Sequence, residues 1–486
     1  MIRPTLEEAK KLSKDCTVIP ITLEIFSDQK TPIEILKNLR KQGEYCFILE
    51  SVSGSDNWGR YSFLGYNPIL NVYGMGDSVT VQKGMQKTEQ KQDAVSVIRD
   101  LISKYKSPRI PYLPPFTGGF VGYFAYDFVR HFIPSLTLHA KNEEQFQDFH
   151  LMLIDKIIAF DHFKQKVYII VNVPVEDLEN SYIKGITELK DIERTILGET
   201  AHFDEETSVC GEFSPRFTER QFGEIIKKLK DHIIQGDIFQ AVISNCFKAP
   251  FKGSLMNTYR ILRTINPSPY MVYMSLDGME VACASPETLV ALRDGEISSF
   301  PLAGTCPRGA TAEEDTALIE ALLHDEKELA EHDMLVDLAR NDVGRVSKFG
   351  SVKVREYRQI KRFSHVSHIS SHVTGNVREE LDALDVIAAT LPAGTLSGAP
   401  KKRACEIIDT NEGLTRGVYG GALGYIDFAG NMDMCIGIRM AVRKGENVYV
   451  QAGAGIVADS KPEKEYQEVC NKAKAVMEAL KQSGEV

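Results

Sequence analysis

No apolar run in the 486 residues approaches the ~20 that a membrane-spanning helix requires, so no transmembrane segment is expected. The opening residues, MIRPTLEEAKKLSKD, lack the apolar stretch and small-residue cleavage site of a secretory signal, which makes a cytoplasmic location the default expectation. Nine cysteines, an odd number scattered from Cys16 to Cys470 without a C-x-x-C pair, argue against a disulfide framework and a zinc site. Most read as small buried hydrophobes. No block of five or more basic residues offsets a formal charge of −10, so the electrostatic footprint of a nucleic-acid partner is missing. The G-x-x-x-x-G-K-[ST] spacing of a phosphate loop is absent too, which excludes an NTPase. There is neither an internal repeat nor a low-complexity tract.

What is present fits a globular protein with two or three domains: 43% hydrophobic and 26% charged residues in a chain long enough for a large core. Residues 1–175 read as a sheet-rich N-terminal module, with strands expected at 45–50, within the glycine-aromatic stretch 116–128, and along KVYIIVNV ending at Val173. Residues 176–214 turn polar and predict one helix followed by a linker, GETAHFDEETSVCGEFSP. From 215 to 486 amphipathic helices are expected at 218–236, 311–340 and 462–481, alternating with strand-like runs such as MVYMSL, CIGIRMAV and VYVQAG. That half reads as α+β or α/β.

Two predicted helices carry carboxylate pairs. Ser460 and Glu463 have capping-box spacing, with Pro462 at a first-turn position. Behind them Tyr466, Val469, Ala473, Val476 and Leu480 form an apolar stripe with Glu465 and Glu468 at its margin. In DEKELAEH, Asp325 and Glu328 have the spacing of an N-cap and its partner, and Glu328 and Glu331 form a second acidic pair. Two such pairs can meet around a hard cation; Mg²⁺ keeps several waters and borrows ligands from an anionic substrate. Taken alone, each pair reads more readily as a solvated helix face.

Glycine-rich stretches supply possible anion sites. VYVQAGAGIVADS reads as a strand entering a turn at Gly453, Ala454 and Gly455, where backbone N–H groups can reach a carboxylate; a strand end or bulge explains it equally well. Residues 392–403, PAGTLSGAPKKR, combine Thr395, glycines and Lys401. Arg439, at the end of CIGIR, can pair with a carboxylate in a bidentate way or lie at a strand edge in solvent. His365, His368 and His372 would suggest a metal on a helix, but their β-branched, serine-rich setting predicts a strand. One histidine used for proton transfer or hydrogen bonding is the better expectation.

Taken in order, GDIFQ, NPSPYM, ASPE, PLAGT, DEKELAEHDMLVDLARNDVGRV, HVSHI, PAGTLSGAPK, RGVYGGALGY and QAGAGIVADSKPEKEYQE resemble the chorismate-utilising enzymes, and within them the anthranilate synthase component I family. The likeness covers nearly all the chain after residue 215; before it, FILES, GRYSFLG and GGFVGYFAYD match more weakly. The resemblance implies an α+β fold of large sandwich-like sheets flanked by helices. It implies Mg²⁺ between the two acidic helices, Glu331 and Glu468 closest and Glu328 and Glu465 supporting. The substrate's ring carboxylate would meet the metal and Gly453, Ala454 and Gly455, while Tyr419 and Arg439 hold the enolpyruvyl carboxylate and Gly304, Thr305, His368 and Thr395 line the ring pocket.

Glu287 of ASPE matches the family's general acid, a role that needs a raised pKa. Relatives that add water carry a lysine where Gln240 stands, and aminodeoxychorismate synthases carry a nucleophilic lysine where Ala303 stands, so ammonia addition with release of pyruvate is the favoured reaction. No glutamine-amidotransferase nucleophile motif is present, which implies ammonia from a separate small subunit and a hetero-oligomer. FILES and NPSPYM match an inhibitory tryptophan site, bringing in Glu50, Ser51, Pro269, Tyr270, Met271 and Cys435; a strand end and a proline turn are the structural alternative. A catalytically silent relative is the other class of reading. Departures from the family pattern are PLAGT itself, Cys306 and Ser367.

Overall fold

Along the strand Cys46–Glu50 the side chains alternate between two apolar layers, as a period of two demands. Phe47 and Leu49 join a layer with Met152, Val272, Cys283 and Leu423, whereas Cys46 and Ile48 join one with Ile21, Leu36, Ile226 and Val476. The first layer is the filling between two sheets; the second lies between a sheet and its helices. The computed structural model describes residues 2–51, 59–198, 208–362 and 366–485. Within them one sheet has 14 strands and the other 12.

Five helices (Pro32–Arg40, Leu178–Leu197, Glu219–Ile234, Met256–Ile265, Pro462–Gln482) cover the outer face of the 14-stranded sheet through Leu36, Leu189, Ile226, Leu262 and Val476. Ala94–Ser103, Glu326–Gly344 and Ala383–Thr390 cover the other through Ile98, Val336 and Ile387. With both faces covered, the central strands are buried along almost their whole length. This is the expected α+β arrangement of sheets flanked by helices.

Both sheets are shared between the two parts of the chain. Cys46–Glu50 pairs antiparallel with Tyr270–Leu276, placing Glu50 opposite Met271. Gly119–Phe124 pairs with Ala422–Asp427, placing Gly122 opposite Gly424. The helix expected after residue 176 is Leu178–Leu197. Residues 199–207 of the expected linker, and His365, lie outside the described residues.

Four local expectations need correction. The helix expected at 311–340 is two, Ala312–Leu323 and Glu326–Gly344, because Asp325 caps the second by accepting the Lys327 and Glu328 N–H groups. At the last helix the N-cap is Lys461, with Pro462 in the first turn; Ser460 instead accepts from the Val457 N–H, so its capping box with Glu463 does not form. CIGIRMAV is not one strand: Met432–Ile436 belongs to one sheet and Met440–Lys444 to the other, and the chain crosses over at 437–439. Gly453 and Gly455 are not in a turn but inside the strand Asn447–Ile456, opposite Ser244 and Val242.

Candidate active site

The helices Glu326–Gly344 and Pro462–Gln482 reach the site from different sheets, carrying one acidic pair each. Burial raises the Glu331 carboxyl above its usual range, and the charges of Glu328 on its own helix and Glu468 on the other raise it further. Glu465 is raised first by burial and then by Glu468, against a lowering hydrogen bond from Ser460. The charges of Lys472 and Lys327 oppose these rises without cancelling them. Among the described residues no three His, Cys, Asp or Glu side chains cluster tightly enough to enclose a metal. The carboxylates therefore do not close a metal shell by themselves; an ion held there would need oxygens from water and a bound ligand to complete it, as Mg²⁺ does.

The strand Asn447–Ile456 forms the floor beside these helices. A Cβ at Gly453 would stand 3.0 Å from the Tyr419 hydroxyl and 2.8 Å from the Ile243 carbonyl, and one at Gly455 would stand 3.4 Å from Gln240 Nε2. At Gly453 glycine is needed because neighbouring groups approach the backbone, not because the chain turns; at Gly455 the contact is an ordinary one. Gln240 is buried, and among the described residues its Oε1 has no hydrogen-bond partner.

Arg439 stands at the sheet crossover with φ of 52°, a conformation that costs a non-glycine residue energy and is retained mostly where function requires it. Burial lowers its pKa, and Tyr419, Glu468 and Glu287 act on it only through their charges. Among the described residues the guanidinium has no ion-pair partner. A desolvated arginine without a carboxylate is prepared for an anionic ligand.

Glu287 lies between the strands Met279–Ser285 and Thr288–Arg293 and accepts a hydrogen bond of 2.9 Å from the Thr395 hydroxyl, on the short 3₁₀ turn Gly394–Leu396. Burial pushes its carboxyl up to about 7; the Thr395 hydrogen bond and the charges of Lys472 and Arg439 pull the other way. The strands Leu302–Pro307 and Val366–Asn376 bring Thr305 Oγ1 within 2.8 Å of His368 Nδ1. A bulge between Ala303 and Thr305 aims this pair, and Gly304 occupies it at φ of 80°, with space for a Cβ denied by Ile369 at 2.9 Å. Burial, aided by Arg439, holds the His368 imidazole below the usual histidine value and so neutral at pH 7.

The sequence profile of the chorismate binding enzyme family matches residues 46–478. The chain belongs to this family. It is 44% identical to the anthranilate synthase component 1 of Acetivibrio thermocellus over 100% of both chains, and 44% identical to that of Aquifex aeolicus over 98% of this chain and 97% of the other. The crystal structure of anthranilate synthase component I from Streptococcus pneumoniae matches with a TM-score of 0.76 at 35% identity, covering 93% of this chain and 98% of that one. The menaquinone-specific isochorismate synthase of Escherichia coli matches with a TM-score of 0.72 at 19% identity, over 98% and 99% of the two chains, a likeness of fold alone.

Two basic residues of this chorismate-binding enzyme were not singled out from its sequence. Lys472, one turn beyond Glu468, pairs with that carboxylate at 2.5 Å and donates to the Gly453 carbonyl at 3.0 Å. Its i, i+4 spacing was the available signal. Arg416 is buried, pairs with Glu412, and donates to the carbonyls of Leu396 and Val242, each at 2.6 Å. It thereby ties the Thr395 turn to the Gln240 strand. Lys401, in contrast, is not an anion ligand of the 392–403 stretch: it pairs with Asp342 at 2.9 Å and caps the Thr390 carbonyl.

A separate cavity of about 890 Å³ opens where the two parts of the chain meet. Glu50, Ser51, Pro269, Tyr270 and Met271 line it, as does Asp433, which accepts from the Tyr270 hydroxyl at 2.7 Å. Cys435 is not on its wall; it is fully buried in the layer between the sheets. Glu50 pairs with Arg263 at 2.5 Å. Among the described residues no helix is long and apolar enough to cross a membrane, and all nine thiols are free.

Proposed function

We propose that the chain is the large subunit of an anthranilate synthase, joining ammonia to chorismate and releasing pyruvate to leave anthranilate. The observation that carries this reading is Glu287: a buried carboxyl with a pKa of about 7, steadied by Thr395 and facing an arginine that has no carboxylate of its own. Arg439 and Tyr419 bind the enolpyruvyl carboxylate, and the ring carboxylate lies over Gly453, Ala454 and Gly455. The ammonia lone pair adds at ring carbon 2, both ring double bonds shift by one position, the 4-hydroxyl leaves as water with the proton supplied by Glu287, and the new ammonium group loses a proton to become the amine. Loss of the proton from carbon 2 and cleavage of the enolpyruvyl C–O bond then give the aromatic ring and pyruvate. Neutral His368, oriented by Thr305, faces the ring during that second step. Bound at Glu331 and Glu468 with support from Glu328 and Glu465, Mg²⁺ would supply positive charge for the ring carboxylate.

Two residues favour ammonia over the rival nucleophiles. Gln240 cannot deprotonate water, and Ala303 offers no amine. Ammonia comes from glutamine through a partner amidotransferase subunit, so ammonium salt replaces that partner in an assay. The cavity at Glu50 and Tyr270 takes tryptophan as an inhibitor, with Glu50 and Ser51 at its amino group and backbone. Incubation with chorismate, ammonium salt and Mg²⁺ should generate anthranilate fluorescence, suppressed by millimolar tryptophan and abolished in Glu468→Gln. A nonfluorescent product sinks the assignment. Undiminished turnover with tryptophan, or in Glu468→Gln, sinks the inhibitor site or the metal placement respectively.

A further inference from the structure

Lys472 occupies an unusual place for an i, i+4 helix partner. Such pairs on a helix surface contribute little, but this ammonium is two-thirds covered, with 31% of the side chain exposed, and has a second bond off the helix. It reaches Glu468 on its own helix and the Gly453 carbonyl on the neighbouring strand, joining the acidic helix to the glycine floor. Its charge also lowers the pKa of Glu287, Glu331 and Glu465. A fixed cation thus serves the same group of carboxylates that the metal reading assigns to Mg²⁺. Any second cation that takes Glu468 must share that carboxylate with the ammonium and meet its repulsion over a few ångströms.

Resting on that metal reading, we propose that Lys472 is a positioning residue that holds Glu468 against the Gly453 strand and weakens Mg²⁺ binding to the protein by itself. Tight metal binding then depends on the negative charge that the substrate's carboxylate brings to the same place. The lysine makes metal and substrate cooperate.

The test is calorimetric titration of the full-length protein with Mg²⁺ in the absence of chorismate, so that no turnover enters the readout. Lys472→Gln keeps a donor for the Gly453 carbonyl without the charge, Lys472→Met removes both, and Lys472→Arg keeps the charge. The two neutral variants should bind Mg²⁺ roughly fivefold or more tightly than the natural protein, with the arginine variant within about twofold of it. Loss of a merely structural contact loosens a ligand and cannot tighten it. If Lys472→Met fails to fold, Lys472→Gln decides alone. An unchanged or larger dissociation constant in the folded neutral variants overturns the proposal while leaving the metal reading intact. Equal Mg²⁺ binding by Glu468→Gln and the natural protein overturns the metal placement itself.

Discussion

Glu50 ends a strand and Glu287 lies in the link between two; burial raises both carboxyls, but their partners differ. Glu50 faces the Arg263 guanidinium, whose charge and hydrogen bond oppose the rise and favour the carboxylate form. Glu287 has one hydroxyl donor, from Thr395, and feels Arg439 and Lys472 only through their charges. A carboxylate with a cation beside it is suited to hold an amino group; a carboxyl poised at about 7 is suited to deliver a proton. Under the proposed function the same residue type would serve recognition in one cavity and chemistry in the other.

Exchanging the two roles should fail in measurable ways. Glu287→Gln removes the proton donor while keeping the shape, and kcat with ammonium and chorismate should fall by roughly 10³-fold, with tryptophan binding in calorimetry unaltered. A loss under tenfold would remove Glu287 from the acid role. Arg439→Lys keeps the charge but loses the planar fork, and kcat/KM should fall by roughly 10²-fold, mostly through KM. Glu50→Gln should leave kcat in place and raise the inhibition constant of tryptophan by about tenfold; a drop in kcat of similar size would break the separation of the two sites.

The smallest effect concerns pH. A general acid acts in its protonated form, so with Glu287 in that proposed role activity at constant free ammonia should decline as pH rises through about 7. The Thr395 hydroxyl lowers that pKa, so Thr395→Val should move the decline to higher pH by roughly 0.5–1 unit. A move to lower pH would assign the limb to another group.

What the sequence disclosed was mostly local. KVYIIVNV announced the strand Lys166–Pro174, and the helix expected at 218–236 is Glu219–Ile234, capped by Thr218. The pairing of Glu50 with Met271 joins residues more than two hundred positions apart, and no local pattern encodes it. The glycines at 453 and 455 read as a turn because the groups that crowd Gly453, the Tyr419 hydroxyl and the Ile243 carbonyl, lie in distant segments. Arg439 read as the end of a strand, whereas its left-handed backbone comes from a crossover between sheets that only the assembled fold creates. The chemistry-bearing residues themselves were reached through family motifs, since an acidic pair at helical spacing carries no chemical meaning until a second helix faces it.

The most direct measurement is the product made from chorismate, Mg²⁺ and ¹⁵N-labelled ammonium, separated by chromatography and weighed by mass spectrometry. The account requires anthranilate carrying one ¹⁵N, with unlabelled pyruvate in equal amount. Isochorismate without nitrogen, or an aminodeoxychorismate that keeps its enolpyruvyl group, would contradict it.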